Sequence, residues 1–189
     1  MDDLITALKR RDPDALSQVF TDHADKIYRL AVSQLHNEQS ADGVVQDTFM
    51  KLIEHIDGFD GRAQIGTWLY RVAYNECMMR LRRQRPQVDF DSVDETGVMP
   101  EILIDWRELP ERMVSSSEAM AEVEKAIAEL SPALRAVFIL RDVEALSVKE
   151  AASVLDISPS AVKVRLHRAR LLLREKLAGY FSERVNQTK

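Results

Sequence analysis

The sequence predicts an all-α protein of two small helical domains joined by a flexible acidic linker, and three observations carry that prediction. With only 6 glycines and 6 prolines in 189 residues, the chain is too poor in turn formers for an all-β fold, while an apolar fraction of 46% suffices for a core. Apolar residues recur at three- and four-residue spacing in both end segments but not in the middle. The charge is also uneven: residues 1–85 carry 12 basic and 13 acidic side chains, 86–117 carry 2 and 8, and 118–189 carry 12 and 10. The net charge of −5 therefore hides two basic stretches. Residues 70–85 hold five arginines against one glutamate, and residues 158–176 hold six Lys/Arg against one glutamate.

In the first helical stretch, Leu16, Val19, Phe20, His23, Ile27, Leu30 and Ala31 fall on one stripe. A second helix runs from about Ser40, a possible N-cap, with Val45, Phe49, Leu52 and Ile56 inward. The glycines of "DGFDG", Gly58 and Gly61, break it. A third begins near Gln64, with Ile65, Trp68, Leu69, Val72 and Ala73 inward, and Pro86 ends it. Its outward stripe reads Arg71, Asn75, Met78 and Arg82. That basic helix end is either a solvated face or a nucleic-acid surface, and the loop "GFDGRAQIGTW" before it is either a plain turn or a place that a nucleotide approaches.

Residues 87–117 show no sustained period and contain Pro100, Pro110 and a run of serines, as a linker does. Beyond it, "EAMAEVEKAIAEL" reads as a helix with Val123, Ile127 and Leu130 inward, and Ser131-Pro132 opens the next. "SVKE", Ser147 to Glu150, is a capping box that starts a short helix through Ala151, Ala152 and Leu155. After the turn "DIS", Ser158 and Pro159 start another. This is the local grammar of a helix-turn-helix.

In the last helix Val162, Leu166, Ala169, Leu173 and Leu177 form one narrow core stripe. Ser160, Lys163, Val164 and His167 face outward, Arg165 and Arg168 lie on the flank, and Arg170 and Arg174 come further along. For an isolated helix that would be a solvated face. At helix-turn-helix spacing it predicts a recognition helix whose first turns enter the major groove of duplex DNA.

Other function classes lack support. No nucleophile motif, phosphate loop or zinc-protease signature appears, so no enzyme and no cofactor are expected. Cys77 is alone, reads as an inert helical thiol, and no Cys/His cluster has metal-ligand spacing, so no metal is expected. The opening "MDDLITALKRRD" resembles neither a signal peptide nor a membrane anchor, so a cytoplasmic protein without membrane insertion is expected.

Three blocks, "SADGVVQDTFMKL", "TWLYRVAYN" and "LRAVFILRDVEALSVKEAASVLDISPSAVKVRLHRARLLLREKL", together resemble the extracytoplasmic-function (ECF) sigma factors of bacterial RNA polymerase, group IV of the sigma-70 family. The resemblance implies sigma region 2 in residues 1–86, a linker in 87–117 and sigma region 4 in 118–189. It implies binding to core RNA polymerase, through the clamp coiled coil and the flap, recognition of promoter DNA, and restraint by an anti-sigma factor. By position, Asp42, Val45, Gln46, Asp47 and Lys51 match the clamp-binding helix. Phe59, Arg62, Ile65 and Thr67 fall in the loop that captures an unstacked −10 base, with Arg71 and Asn75 on the helix that follows. Arg141, Lys163, Val164, His167 and Arg168 match the −35 contacts, beside Ser160 on the same outward face. Two departures stand out. Gly43 replaces an acidic residue, and Ile65-Gly66 stands where an aromatic is common, which favours a shape-based pocket over stacking. A free-standing homodimeric helix-turn-helix regulator is the alternative reading, and a helical interaction protein with basic faces a third.

Overall fold

The computed structural model describes residues 2–61, 63–84 and 117–187. The described residues are helical, without strands: α1 (Asp2–Lys9), α2 (Pro13–Leu35), α3 (Glu38–His55), a 3₁₀ turn (Ile56–Gly58), α4 (Ile65–Gln84), α5 (Ser117–Ala128), α6 (Pro132–Phe138), a π-helical turn (Ile139–Val143), α7 (Val148–Leu155) and α8 (Pro159–Gln187). The expected linker lies outside the described residues, apart from its last position, Ser117, which opens α5. Helices α1 to α4 belong to one compact unit, and α5, α6 and α8 to a second.

In the first unit the chain enters α2 through Asp12, whose carboxylate accepts from the backbone N–H of Asp14 (2.9 Å) and Ala15 (3.1 Å), with Pro13 next at the helix start. It leaves through His36 in the left-handed region. Arg11, also left-handed, makes a two-bonded pair with Asp57 (2.9 and 2.7 Å) that ties the α1–α2 corner to the 3₁₀ turn. The cap of α3 is Asn37, not Ser40: the Asn37 side chain accepts from the Ser40 N–H at 2.7 Å. Either residue type serves as a cap, and the one in extended conformation just before the first helical turn does so here.

Val19, Ile27, Leu30 and Ala31 of α2, Leu52 of α3, and Leu69, Ala73 and Cys77 of α4 form the core. Each large aliphatic side chain removed from water contributes about 1.5–3 kcal/mol. Three of the expected inward positions differ. Phe20 is 50% exposed and lies against Phe49, ring centroids 4.8 Å apart. On α3 the buried set is Ala41, Val44, Thr48 and Leu52, with Val45 and Phe49 half-buried. A helix that packs on two neighbours buries a broader and rotated stripe than one apolar seam suggests. Thr48 fits there because its hydroxyl donates to the Val44 carbonyl at 2.7 Å.

The second unit follows the sequence more closely. Ser131 caps α6, accepting from the Leu134 N–H, and Ala133 to Leu140 are buried without interruption. Within that run Arg135 is buried as well, and its Nη1 donates to the Ala128 carbonyl at the end of α5 (2.7 Å). Burial draws its guanidinium down to about 10, so it stays charged at neutral pH. All five expected stripe residues of α8, Val162, Leu166, Ala169, Leu173 and Leu177, are buried. Leu130 is buried too, whereas Val123 and Ile127 are half-buried and Ala126 takes the inward place between them.

Candidate nucleic-acid interface

The start of α8 is built by two consecutive caps. Ser147 N donates to Glu150 Oε2 (2.7 Å) and Glu150 N donates to Ser147 Oγ (3.2 Å), which is the expected box at the head of α7. Hydrogen bonding with Ser147, its side chain first and its backbone second, holds the Glu150 carboxyl below the usual carboxylate range. The turn after α7 passes through Asp156 in the left-handed region, a conformation that Asp tolerates, and Ser158 Oγ then accepts from the Ala161 N–H at 3.1 Å.

With its apolar stripe buried, α8 leaves Ser160 and Lys163 exposed and Val164, His167 and Arg168 half-buried. Among the described residues, neither Lys163 nor Arg168 pairs with a carboxylate, and the buried Nε2 of His167 has no hydrogen-bond partner. Two expected positions change. Arg165, placed on the flank by periodicity, is only 7% exposed. Arg170 is committed to Asp142 by two bonds, Nε to Oδ2 (2.9 Å) and Nη2 to Oδ1 (2.6 Å), which pin α8 to the π-helical turn. That turn carries Arg141, half-buried, whose buried Nε has no partner among the described residues.

In the first unit, Asp42 and Gln46 of α3 are exposed and Val45, Asp47 and Lys51 half-buried. Asp47 and Lys51 belong to a network that sequence reasoning missed. Glu76 of α4, 3% exposed, accepts from Lys51 Nζ through Oε1 and from Arg80 Nη1 through Oε2 (2.9 Å), and Arg80 Nη2 reaches Asp47 Oδ2 at 2.6 Å. A Cβ on Gly43 would lie 3.5 Å from Arg80 Nη2, so the guanidinium rests along that glycine's turn of α3. Glu76 stands 25 residues from Lys51. No local spacing announces such a pair; the only sign was one carboxylate in an arginine-rich helix.

The loop between the 3₁₀ turn and α4 packs on its own aromatic. Phe59 is buried, edge-on to the half-buried Trp68 (centroids 6.4 Å apart, planes at 81°). Thr67 is buried and Ile65 half-buried, while Arg62 lies outside the described residues. Arg71 and Asn75 are exposed on α4, as is Arg82, but Met78 is buried and leaves the outward stripe, because α4 packs on both α2 and α3. Gly66 lies against His23 of α2: a Cβ there would come within 2.7 Å of His23 Cε1. Burial first, and Lys26 second, lower the pKa of that imidazole, with Asp22 opposing. Cys77 is fully buried and its thiol is pushed up to about 12, so it stays protonated. Among the described residues no cluster of His, Cys, Asp and Glu could hold a metal ion, and no helix is long and apolar enough to cross a membrane.

Family models match in both units: "Sigma-70 region 2" over residues 19–87 and "Sigma-70, region 4" over residues 120–173. The chain is similar to the ECF RNA polymerase sigma factor SigW of Bacillus subtilis, 32% identical over 177 residues, covering 92% of this chain and 94% of that protein. It is 31% identical over 170 residues to the RNA polymerase sigma-H factor of Pseudomonas aeruginosa, covering 88% of each. Among solved structures, CnrH in complex with the cytosolic domain of CnrY matches with a TM-score of 0.67 at 25% identity, covering 93% of this chain and 96% of that one. The sigma factor RpoE of Bartonella quintana, in complex with the anti-sigma factor NepR, shares the fold with a TM-score of 0.63 at 24% identity, covering 86% and 96%.

Proposed function

The chain belongs to the ECF RNA polymerase sigma factors, and from that premise we propose how its residues divide the work of transcription initiation. As a sigma factor it binds core RNA polymerase and directs promoter-specific initiation, and the family is not a class of enzymes. In our reading residues 1–86 act as region 2 and residues 118–189 as region 4, joined by the 87–117 linker. The chain works in the cytoplasm without catalytic activity of its own. An anti-sigma factor holds it until a signal arrives, as the pairing of RpoE with the anti-sigma factor NepR suggests.

The −35 element is read by Ser160, Lys163, Val164 and His167 from the major groove, with Arg141 and Arg168 at the sides. The observation that carries this is the complete burial of the α8 stripe, which leaves one strip of that helix for DNA. On α3, Asp42, Val45 and Gln46 meet the polymerase clamp, beside Asp47 and Lys51, which the Glu76 and Arg80 network holds in place. In the −10 loop Arg62 and Ile65 approach the captured base, with Arg71 and Asn75 along the strand. Phe59 and Thr67, both buried, shape the loop from inside. Two readers on a tether cannot measure the spacing between promoter elements, since two turns of duplex already span about 70 Å. Core polymerase supplies the ruler.

The test is transcription in vitro from fragmented genomic DNA, with core polymerase alone and with the purified chain added. New, discrete start sites that share −35 and −10 sequences are expected. Binding of the chain as a dimer to a palindromic duplex without polymerase, and no new start sites with it, would replace this reading by the free-standing regulator.

A further inference from the structure

Among the described glycines of the first unit, Gly66 has the least room for a side chain, because His23 lies against it. Gly66 is the second residue of α4, and a Cβ there would stand 2.7 Å from His23 Cε1 and 3.4 and 3.5 Å from Nδ1 and Nε2. No side chain larger than hydrogen fits without displacing the ring. Glycine is a poor helix former, so its use in the opening turn of α4 answers to this contact rather than to helix propensity. His23 comes from the middle of α2, where it is half-buried. Its neutral ring suits a place against the opening turn of a helix, whose free N–H groups disfavour a positive charge.

What the contact positions is the loop. Trp68 N donates to Gln64 O (3.1 Å), and Phe59 meets the Trp68 ring, so Phe59 and Gln64 are both hung on the same turn that His23 supports. Ile65 sits in that turn, immediately before Gly66.

We propose that His23 is a positioning residue for promoter opening: its ring, set on the bare backbone of Gly66, seats the first turn of α4 on α2 and so fixes Ile65 and the loop before it in the place where an unstacked base is received. This rests on the reading of that loop as the −10 pocket.

The test uses reconstituted holoenzyme, with opening followed by fluorescence of 2-aminopurine in the −10 element and core binding by competition against the wild-type chain. Forcing a methyl into the contact should cut opening about tenfold in Gly66→Ala while competition for core stays near wild type. His23→Ala should reduce opening by less. In the double variant, loss of the ring makes room for the methyl, and opening should recover to the His23→Ala level; a role confined to stability would not produce that reversal beside unchanged core binding. Wild-type opening in Gly66→Ala, or no recovery in the double variant, overturns the proposal. If Gly66→Ala does not fold, His23→Ala decides, and wild-type opening there overturns it. Arg62→Ala and Asn75→Ala test the loop itself. Loss of opening in these two beside wild-type opening in Gly66→Ala refutes only the role of His23, whereas wild-type opening in both loop variants refutes the −10 reading and the role with it.

Discussion

The two candidate surfaces treat their cations in opposite ways. On α3 and α4, Lys51 and Arg80 are engaged by Glu76 and Asp47, so the face is a braced structure whose charges already have protein partners. At the start of α8, Lys163 and Arg168 face no carboxylate among the described residues, whereas Arg170, further along, meets Asp142. A helix that is to meet polyanionic DNA gains from cations left without internal partners, because phosphates and base edges then become their partners and counterions are released. A face that is to dock on another protein gains from a fixed shape. The first surface is held by tertiary ion pairs and the second by caps and a buried stripe, and variants in each should fail differently.

The largest effect is expected at Glu76. Glu76→Ala removes the buried carboxylate that Lys51 and Arg80 share, a loss of about 3 kcal/mol, since Lys51 is open enough to regain some water and Arg80 keeps Asp47. Asp47→Ala removes a half-exposed partner and should cost less than about 1 kcal/mol. Denaturant dependence of hydrogen exchange at the α3 and α4 amides measures both. Equal losses would mean that the network is a surface feature, and the contrast with α8 would dissolve.

On α8 the loss should appear in recognition rather than stability. Lys163→Ala in holoenzyme should cost about 1–3 kcal/mol on the best −35 sequence and much less on a duplex altered at the base it reads. Arg174, exposed about three turns further along, would lie beyond a groove entered by the first turns of α8. Its loss should weaken all sequences alike and lower the salt slope by about one. Binding isotherms on matched and altered duplexes over a salt series separate the two. Equal losses for Lys163→Ala on both duplexes would make this helix a phosphate grip, no more specific than a charged face.

The same contrast explains what was legible. In the second unit Ser131, Ser147 with Glu150, and Ser158 with Pro159 are signals contained within a few residues, and the structure uses each where the sequence puts it. The α8 stripe was legible because all five of its apolar positions were buried, even though Arg165 was buried beside them. In the first unit α3 and α4 each pack on two neighbours, so Met78 turned inward and the α3 stripe rotated. Asp47 and Arg80 are 33 residues apart, and no periodicity links them. The bare position at Gly66 has its reason in His23, 43 residues earlier, which a single sequence does not disclose.

A smaller effect sharpens the local half of the comparison. The folded Glu150 carboxyl lies below its unfolded value, so the unfolded chain binds its proton first, and the box's contribution is complete above about pH 4.3 and fades as pH falls through the folded value. Ser147→Ala should cost about 1 kcal/mol at neutral pH. Its difference from wild type should shrink in acid, as stability curves on both proteins between pH 7 and about pH 3 would show. A difference that is independent of pH would mean that the Ser147 hydroxyl matters without its carboxylate partner.

The smallest expected effect tests whether local backbone preference governs the second unit throughout. Ala145 follows the π-helical turn with φ of 55°, exposed, between Glu144, whose N–H reaches Ile139 O at 2.9 Å, and Leu146, whose N–H reaches Leu140 O at 2.9 Å. Left-handed backbone costs a residue with a Cβ about 1 kcal/mol or more, and alanine has no side-chain polar group to offset it. Glycine removes that strain but widens the unfolded ensemble, so Ala145→Gly should stabilise by a net gain of only about 0.5 kcal/mol. Asp156, at the same φ, already tolerates the conformation, and Asp156→Gly should gain less. Melting temperatures of the two variants and wild type decide the matter. A destabilised Ala145→Gly would mean that the methyl group holds this turn against its neighbours, and that the second unit depends here on a tertiary contact, as the first does at Glu76.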